Sequence, residues 1–208
     1  MSAPTLAQQF GQIDIYLFEQ ILRGRVIPGM KILDAGCGGG RNLVYLLRTS
    51  AEAGNQIFGA DASPQAIAAV RDLAATLAPA MPPENFRAES IEAMSFPDAF
   101  ADMVISSAVL HFAVSDEEFL AMLRGTWRVL KPGGLFFCRL ASSIGIEDQV
   151  QPLNGRVCLL PDGSERYLVD ERLLTHLGDQ LGGKLLDPLK TTVVQHQRSM
   201  TTWVLRKT

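Results

Sequence analysis

Apolar residues recur at near-helical spacing early in the chain: Leu6, Phe10, Ile13, Leu17 and Leu22 predict one helix over residues 5–24, ended by Gly24. After Pro28-Gly29 the pattern changes to short apolar runs alternating with amphipathic stretches. Lys31–Ala35 reads as a buried strand and Arg41–Arg48 as a helix opening directly from the glycines between them. Gln56–Ala60 is a second strand, and Ser63 with Pro64 supplies the cap and first position of a helix reaching Leu77. Phe86–Ala88 and Ala101–Ser106 are the third and fourth strands. Ser115-Asp-Glu-Glu118 is a capping box heading a helix to Leu130, stopped by Lys131-Pro-Gly-Gly134 before a fifth strand, Leu135–Leu140.

Strands alternating with helices through short connections specify an α/β layer with a mostly parallel sheet. The last third differs. Residues 142–169 lack periodicity and predict a loop or lid. Asp170–Leu181 reads as a helix, and Leu185–Val194 with Thr201–Arg206 as an antiparallel hairpin that finishes the sheet.

Composition narrows the setting. The chain has 208 residues, a length for one domain, and a net charge of −3 with no basic stretch, which argues against a nucleic-acid partner. Its three cysteines, at 37, 138 and 158, make neither a full disulfide set nor a zinc spacing. No signal peptide is expected at the first residues, and no apolar run reaches membrane-spanning length, so a cytoplasmic protein without membrane contact is expected.

The chemistry concentrates in Asp34-Ala-Gly36-Cys37-Gly38-Gly-Gly40-Arg41-Asn42. Glycines at the carboxyl end of a first strand let a ligand approach the backbone at a helix start. Asp61, ending the second strand, stands where an acid accepts from ribose hydroxyls. The dinucleotide spacing G-x-G-x-x-G fails here, because Arg41 or Leu43 occupies the third glycine position. An acid at Asp34 suits a cationic, phosphate-free ligand better than a pyrophosphate.

With Trp127-Arg-Val-Leu-Lys-Pro-Gly-Gly134, this loop resembles the class I S-adenosylmethionine-dependent methyltransferases over residues 28–140. The likeness is to the small bacterial types 11, 12 and 25. Gly40-Arg41-Asn42 is also similar to the tellurite-resistance methyltransferases. The resemblance implies a Rossmann-like seven-stranded sheet, mostly parallel, with a C-terminal antiparallel hairpin. One domain would comprise a helical cap (1–27), a cofactor-binding core (28–140) and a substrate-side loop, helix and hairpin (141–208).

It further implies a cofactor, S-adenosylmethionine, leaving as S-adenosylhomocysteine. Asp34, Gly36, Cys37 and Gly38 would hold the methionine part, with Gly40 and Asn42 completing the loop. Asp61 would take the ribose, Ala62 would lie beside the adenine, and Glu89, Ser90 and Ile91 would accept and flank the adenine. Ser106, Ser107 and Ala108 would face the sulfonium. The acceptor would be a small molecule and the protein a monomer or homodimer. His111 is a candidate general base or a packed structural histidine, and His196 a candidate in the substrate pocket. Arg139 ends an apolar strand and needs either a carboxylate from the chain or an anionic substrate. Two other readings use the same cleft: a non-catalytic S-adenosylmethionine-binding protein, and a nicotinamide-dependent reductase, which Asp34 and Arg41 disfavour.

Overall fold

The computed structural model describes residues 5–208. The first four positions, part of the expected cap and of the reading against a signal peptide, lie outside them. The chain opens with two short helices, α1 (Leu6–Phe10) and α2 (Ile15–Leu22), where the spacing predicts one. Gly11 divides them. Its φ is +63°, and a Cβ there would lie 2.7 Å from Val44 Cγ2, so the chain turns where it meets the next helix. Asp14 restarts the helix by accepting from the N–H groups of Tyr16 and Leu17.

Next come β1 (Lys31–Ala35), α3 (Val44–Ala53), β2 (Gln56–Asp61), α4 (Pro64–Leu77) and β3 (Phe86–Ala88). The helix α3 begins three residues later than the apolar pattern suggests. Residues 41–43 form a turn in which the Leu43 N–H donates to the Gly40 carbonyl. After β4 (Ala101–Ser107) and α5 (Asp116–Val129), β5 (Leu130–Ala141) carries the Lys-Pro-Gly-Gly turn within its first residues. Ser115 caps α5 through the Glu118 N–H, but the Glu118 carboxylate accepts from Val114, so only half of the capping box forms.

Residues 142–169 are not a plain loop. They build a separate antiparallel sheet from β6 (Gln151–Asn154), β7 (Val157–Leu159) and β8 (Glu165–Tyr167). Strands of three or four residues are too short to display a period, which is why the sequence pattern hides them. Ala141, Ile146, Cys158, Leu160 and Leu168 form a small core beneath this sheet. The chain ends with α6 (Glu171–Gln180), β9 (Gly183–Leu185), β10 (Lys190–Val194) and β11 (Arg198–Lys207). The expected strand 185–194 is split at Asp187-Pro188, where the Asp187 carboxylate is held by Arg23 and Arg25.

The main sheet runs β10-β11-β5-β4-β1-β2-β3, seven strands in a row, with β9 as an eighth pairing on β11. Strands β3, β2, β1, β4 and β5 are parallel, and β11 is antiparallel to both β5 and β10. Alternate residues of each strand feed two cores. Leu33, Val104 and Phe136 pack against α5 and α6 on one face, and Ile32, Ile105 and Phe137 against α2, α3 and α4 on the other. The chain leaves β1 toward β2 on one side and later returns to β4 on the other. This reversal opens a crevice beyond the carboxyl ends of β1 and β4. No helix among the described residues is long and apolar enough to cross a membrane.

Candidate active site

The crevice is a cleft of about 740 Å³, floored by the loop 36–42 and walled by Gly11 and Gln12, Asp61, and Ser107–Val109. The loop needs its glycines. Gly36 has φ +85°, and a Cβ on it would lie 2.4 Å from Val109 Cγ2; at Gly40, φ +84°, it would lie 2.8 Å from both Val70 Cγ2 and Leu73 Cδ2. The Gly36 and Cys37 N–H groups both donate to the Ala60 carbonyl, at 2.8 and 3.0 Å, tying the loop to β2. Asp61 completes the anchorage: Oδ2 accepts from the Gly38 N–H and Oδ1 from the Ser63 N–H, each at 2.9 Å. Cys37 lines the cleft as a small buried spacer, and burial pushes its thiol up out of the reactive range.

Asp34 lies at the end of β1, two residues before the cleft-lining Gly36. It is buried, and neither carboxylate oxygen has a hydrogen-bond partner. Burial pushes its carboxyl up to about 7; the Arg41 charge opposes this and the Asp61 charge adds to it. Its side chain does not line the cleft wall.

A second group of polar residues fastens the N-terminal segment over the cleft. The buried Asp14 Oδ2 accepts from Ser107 Oγ at 3.2 Å and from Arg139 Nη1 at 3.1 Å. The Asp14 N–H donates to Asn42 Oδ1 at 3.0 Å, and Arg41 Nη2 donates to Ser107 Oγ at 3.2 Å. Asn42 therefore lines the cleft while its carbonyl oxygen serves α2. Arg139 has found a carboxylate within the chain and lies 5.4 Å from the centre of the Tyr16 ring. Asp14 falls inside the single helix that the spacing predicts, and nothing in the sequence marks it.

Other expected residues sit elsewhere. The Glu89 carboxylate is taken by Ser95, accepting from its N–H at 2.8 Å and from its hydroxyl. Ser90 precedes a single 3₁₀ turn at Ile91–Ala93, and Ile91 is buried against α5, where a Cβ on Gly125 would lie 2.2 Å from the Ile91 carbonyl oxygen. Ala62, Glu89, Ser90 and Ile91 are not in the cleft wall. Of the three residues expected at the sulfonium side, Ser107 and Ala108 face the cleft, whereas Ser106 points to the opposite face of the sheet, buried with its hydroxyl unpartnered. His196 is exposed at the tip of the β10–β11 turn, with φ +55°, outside both cavities described here.

A second cavity, of about 370 Å³, adjoins the first through the shared residues Ala108 and Phe112. His111, Arg139, Arg166 and Arg198 line it, with Asp162 and Ser164 opposite. His111 Nδ1 accepts from the Ala141 N–H at 3.0 Å, so in the neutral ring the proton is on Nε2. Burial, with Arg166 and Arg139 nearby, pushes its pKa down to about 4. His111 is thus a neutral hydrogen-bond donor at neutral pH.

The family profile for the methyltransferase domain matches residues 33–138. The chain belongs to this family, and its fold is that of the class I S-adenosylmethionine-dependent methyltransferases. An uncharacterised methyltransferase of Synechocystis sp. is 33% identical over 111 residues, 53% of this chain and 47% of that protein. The aligned segment spans less than half the length of the curated relatives it matches. Among solved structures, the Burkholderia thailandensis 1,6-didemethyltoxoflavin-N1-methyltransferase, with bound 1,6-didemethyltoxoflavin and S-adenosylhomocysteine, is 19% identical. It superposes with a TM-score of 0.69, covering 96% of this chain and 79% of its own. The cyclase SpnF shares the fold at a TM-score of 0.73 and 20% identity, over 93% of this chain and 80% of its own.

Proposed function

We propose that this protein transfers a methyl group from S-adenosylmethionine to a small-molecule acceptor. The observation that carries this reading is the orphaned Asp34 carboxylate beside a glycine-floored cleft that opens into a second cavity. The residues present fit the cofactor. Asp34 supplies the anionic partner that an amino-acid ammonium group needs, the loop 36–38 offers close backbone approach, and Asp61 keeps free lone pairs for ribose hydroxyls. The fold alone does not fix the activity, as the cyclase shows.

Bound S-adenosylmethionine supplies a sulfonium methyl that an in-line nucleophile displaces, leaving a neutral thioether. The chain's part is to hold the two reactants aligned across the Ala108–Phe112 opening and to exclude water. His111 is not placed to take a proton. Its Nδ1 is occupied and its Nε2 carries hydrogen, so it positions the acceptor as a donor. The acceptor's proton, where it has one to lose, therefore leaves by a route other than His111. The second cavity favours transfer over cofactor binding alone, because a binding protein has no use for it.

Calorimetric titration with S-adenosylmethionine, S-adenosylhomocysteine and NADH tests the reading. Micromolar binding of the first two and none of the third is expected, and Asp61→Ala should weaken binding by about tenfold or more, in line with the loss of charged hydrogen bonds and a loosened loop. Folded protein that binds neither adenosyl ligand would overturn the proposal.

A further inference from the structure

We propose that the second cavity selects acceptors carrying a single carboxylate, held by Arg166 and Arg198. The inference rests on the methyltransferase reading for its use of the word acceptor, but its evidence is separate. Three guanidinium groups line the cavity. Asp14 matches Arg139. Asp162 lies in the field of both Arg166 and Arg198, yet its Oδ1 is held by the Ser164 N–H and hydroxyl, and among the described residues neither arginine has a carboxylate within 4.0 Å. With His111 neutral, two carboxylates stand against three guanidiniums, which leaves one positive charge.

Donors without acceptors make the same point. Arg166 Nη1 donates to the carbonyl of its neighbour Glu165 while its guanidinium rests 4.8 Å from the centre of the Phe112 ring, which leaves the rest of its fork free. Phe112 also walls the cofactor cleft, so Arg166 is stacked on the partition between the two cavities. The His111 Nε2–H adds another donor. A planar carboxylate satisfies guanidinium forks in pairs. A dianion would exceed the single unmatched charge of the lining. The remaining wall, Leu160, Val194 and Met200 with Phe112, suits a hydrocarbon body.

Benzoate and benzamide, alike in shape and different in charge, are the probes. Each is titrated into the whole protein, ligand-free and loaded with S-adenosylhomocysteine, and the arginine Nε–H resonances are followed. Benzoate should bind about tenfold tighter than benzamide, and Arg166→Ala and Arg198→Ala should each erase most of that preference, with Arg198→Lys restoring part of it. Calorimetry of S-adenosylhomocysteine on the same samples separates the two claims. Intact adenosyl binding with equal binding of the two probes overturns the carboxylate inference alone. A benzoate preference that survives the Arg166→Ala/Arg198→Ala double variant overturns the assignment of these residues. Failure of the adenosyl ligand to bind overturns the methyltransferase reading, whatever benzoate does.

Discussion

Asp34 is the residue at which burial and charge conflict most. Its carboxyl titrates at about 7 in the folded protein against 3.8 when exposed, so between these values the folded state holds a proton that the unfolded state has released. Stability of the ligand-free protein should therefore fall as pH rises from about 4 to about 7, by an amount on the order of 4 kcal/mol. Asp34→Asn removes the charge and should raise the melting temperature of the free protein at pH 8 in a calorimetric scan. A cationic ligand reverses the preference, since it needs the carboxylate. The affinity of wild-type protein for S-adenosylmethionine should rise about fivefold from pH 6 to pH 7, as a group titrating near 7 ionises, and Asp34→Asn should bind weakly with a flat profile. Pre-organised, destabilising charge is what a cation site costs in the absence of its ligand. Asp34, Gly36 and Asp61 were legible because the chemistry lies in local spacing at strand ends. Arg139's partner was not, because Asp14 is 125 residues away in sequence. Ser106 and Ser107 differ by strand parity, which adjacent serines do not announce.

The same Asp14 governs an element. Residues 5–22 carry a helical period throughout, and what breaks the helix is contact: Gly11 presses on Val44 of α3, and the ring of Phe10 stacks on Tyr45 at 5.1 Å. Asp14 then has two tasks, capping α2 with Oδ1 and fastening it to β4 and β5 with Oδ2. Serine can do the first and not the second. In urea unfolding, Asp14→Ala should cost about 3 kcal/mol, combining a lost cap with a weakened buried ion pair, and Asp14→Ser should recover about 1 kcal/mol of it. Equal losses for the two variants would show that capping contributes little. Caps at Ser63 and Ser115 were readable from sequence because N-cap chemistry is local. The breaks at Gly11 and Asp187 were not, because each answers to a surface brought in from elsewhere in the fold.

At the scale of the molecule, the site is assembled by two units of unequal stability. The cofactor cleft is built on β1, β2 and β4, parallel strands buried on both faces, whose alternating order with helices was plain in the apolar pattern. The outer wall of the second cavity belongs to the small sheet β6–β8 and its connections, through Leu160, Asp162, Ser164 and Arg166. Part of that sheet rests on a core of five buried residues, against 26 and 17 in the two main clusters, while Tyr167 of β8 joins the largest cluster by stacking on Phe119 at 4.3 Å between ring centres. Every residue of β6 is exposed and β7 adds only Cys158 to the small core, and burial at roughly 25 cal/mol per Å² gives that little to resist opening, so the β6–β7 hairpin should unfold locally while the main sheet stays intact. Hydrogen exchange should find amides of 151–159 exchanging at least about a hundredfold faster than those of β4 and β5, a gap of about 3 kcal/mol in opening free energy. S-adenosylhomocysteine should then protect residues 36–42 and 107–109, which line its cleft, and leave 151–167 almost unchanged. Benzoate should protect 160–166, because a ligand bound only to the closed form shifts the opening equilibrium by mass action. Exchange in 151–159 as slow as in β5 would mean that the hairpin is an integral part of the core, and that the acceptor wall is as rigid as the cofactor floor.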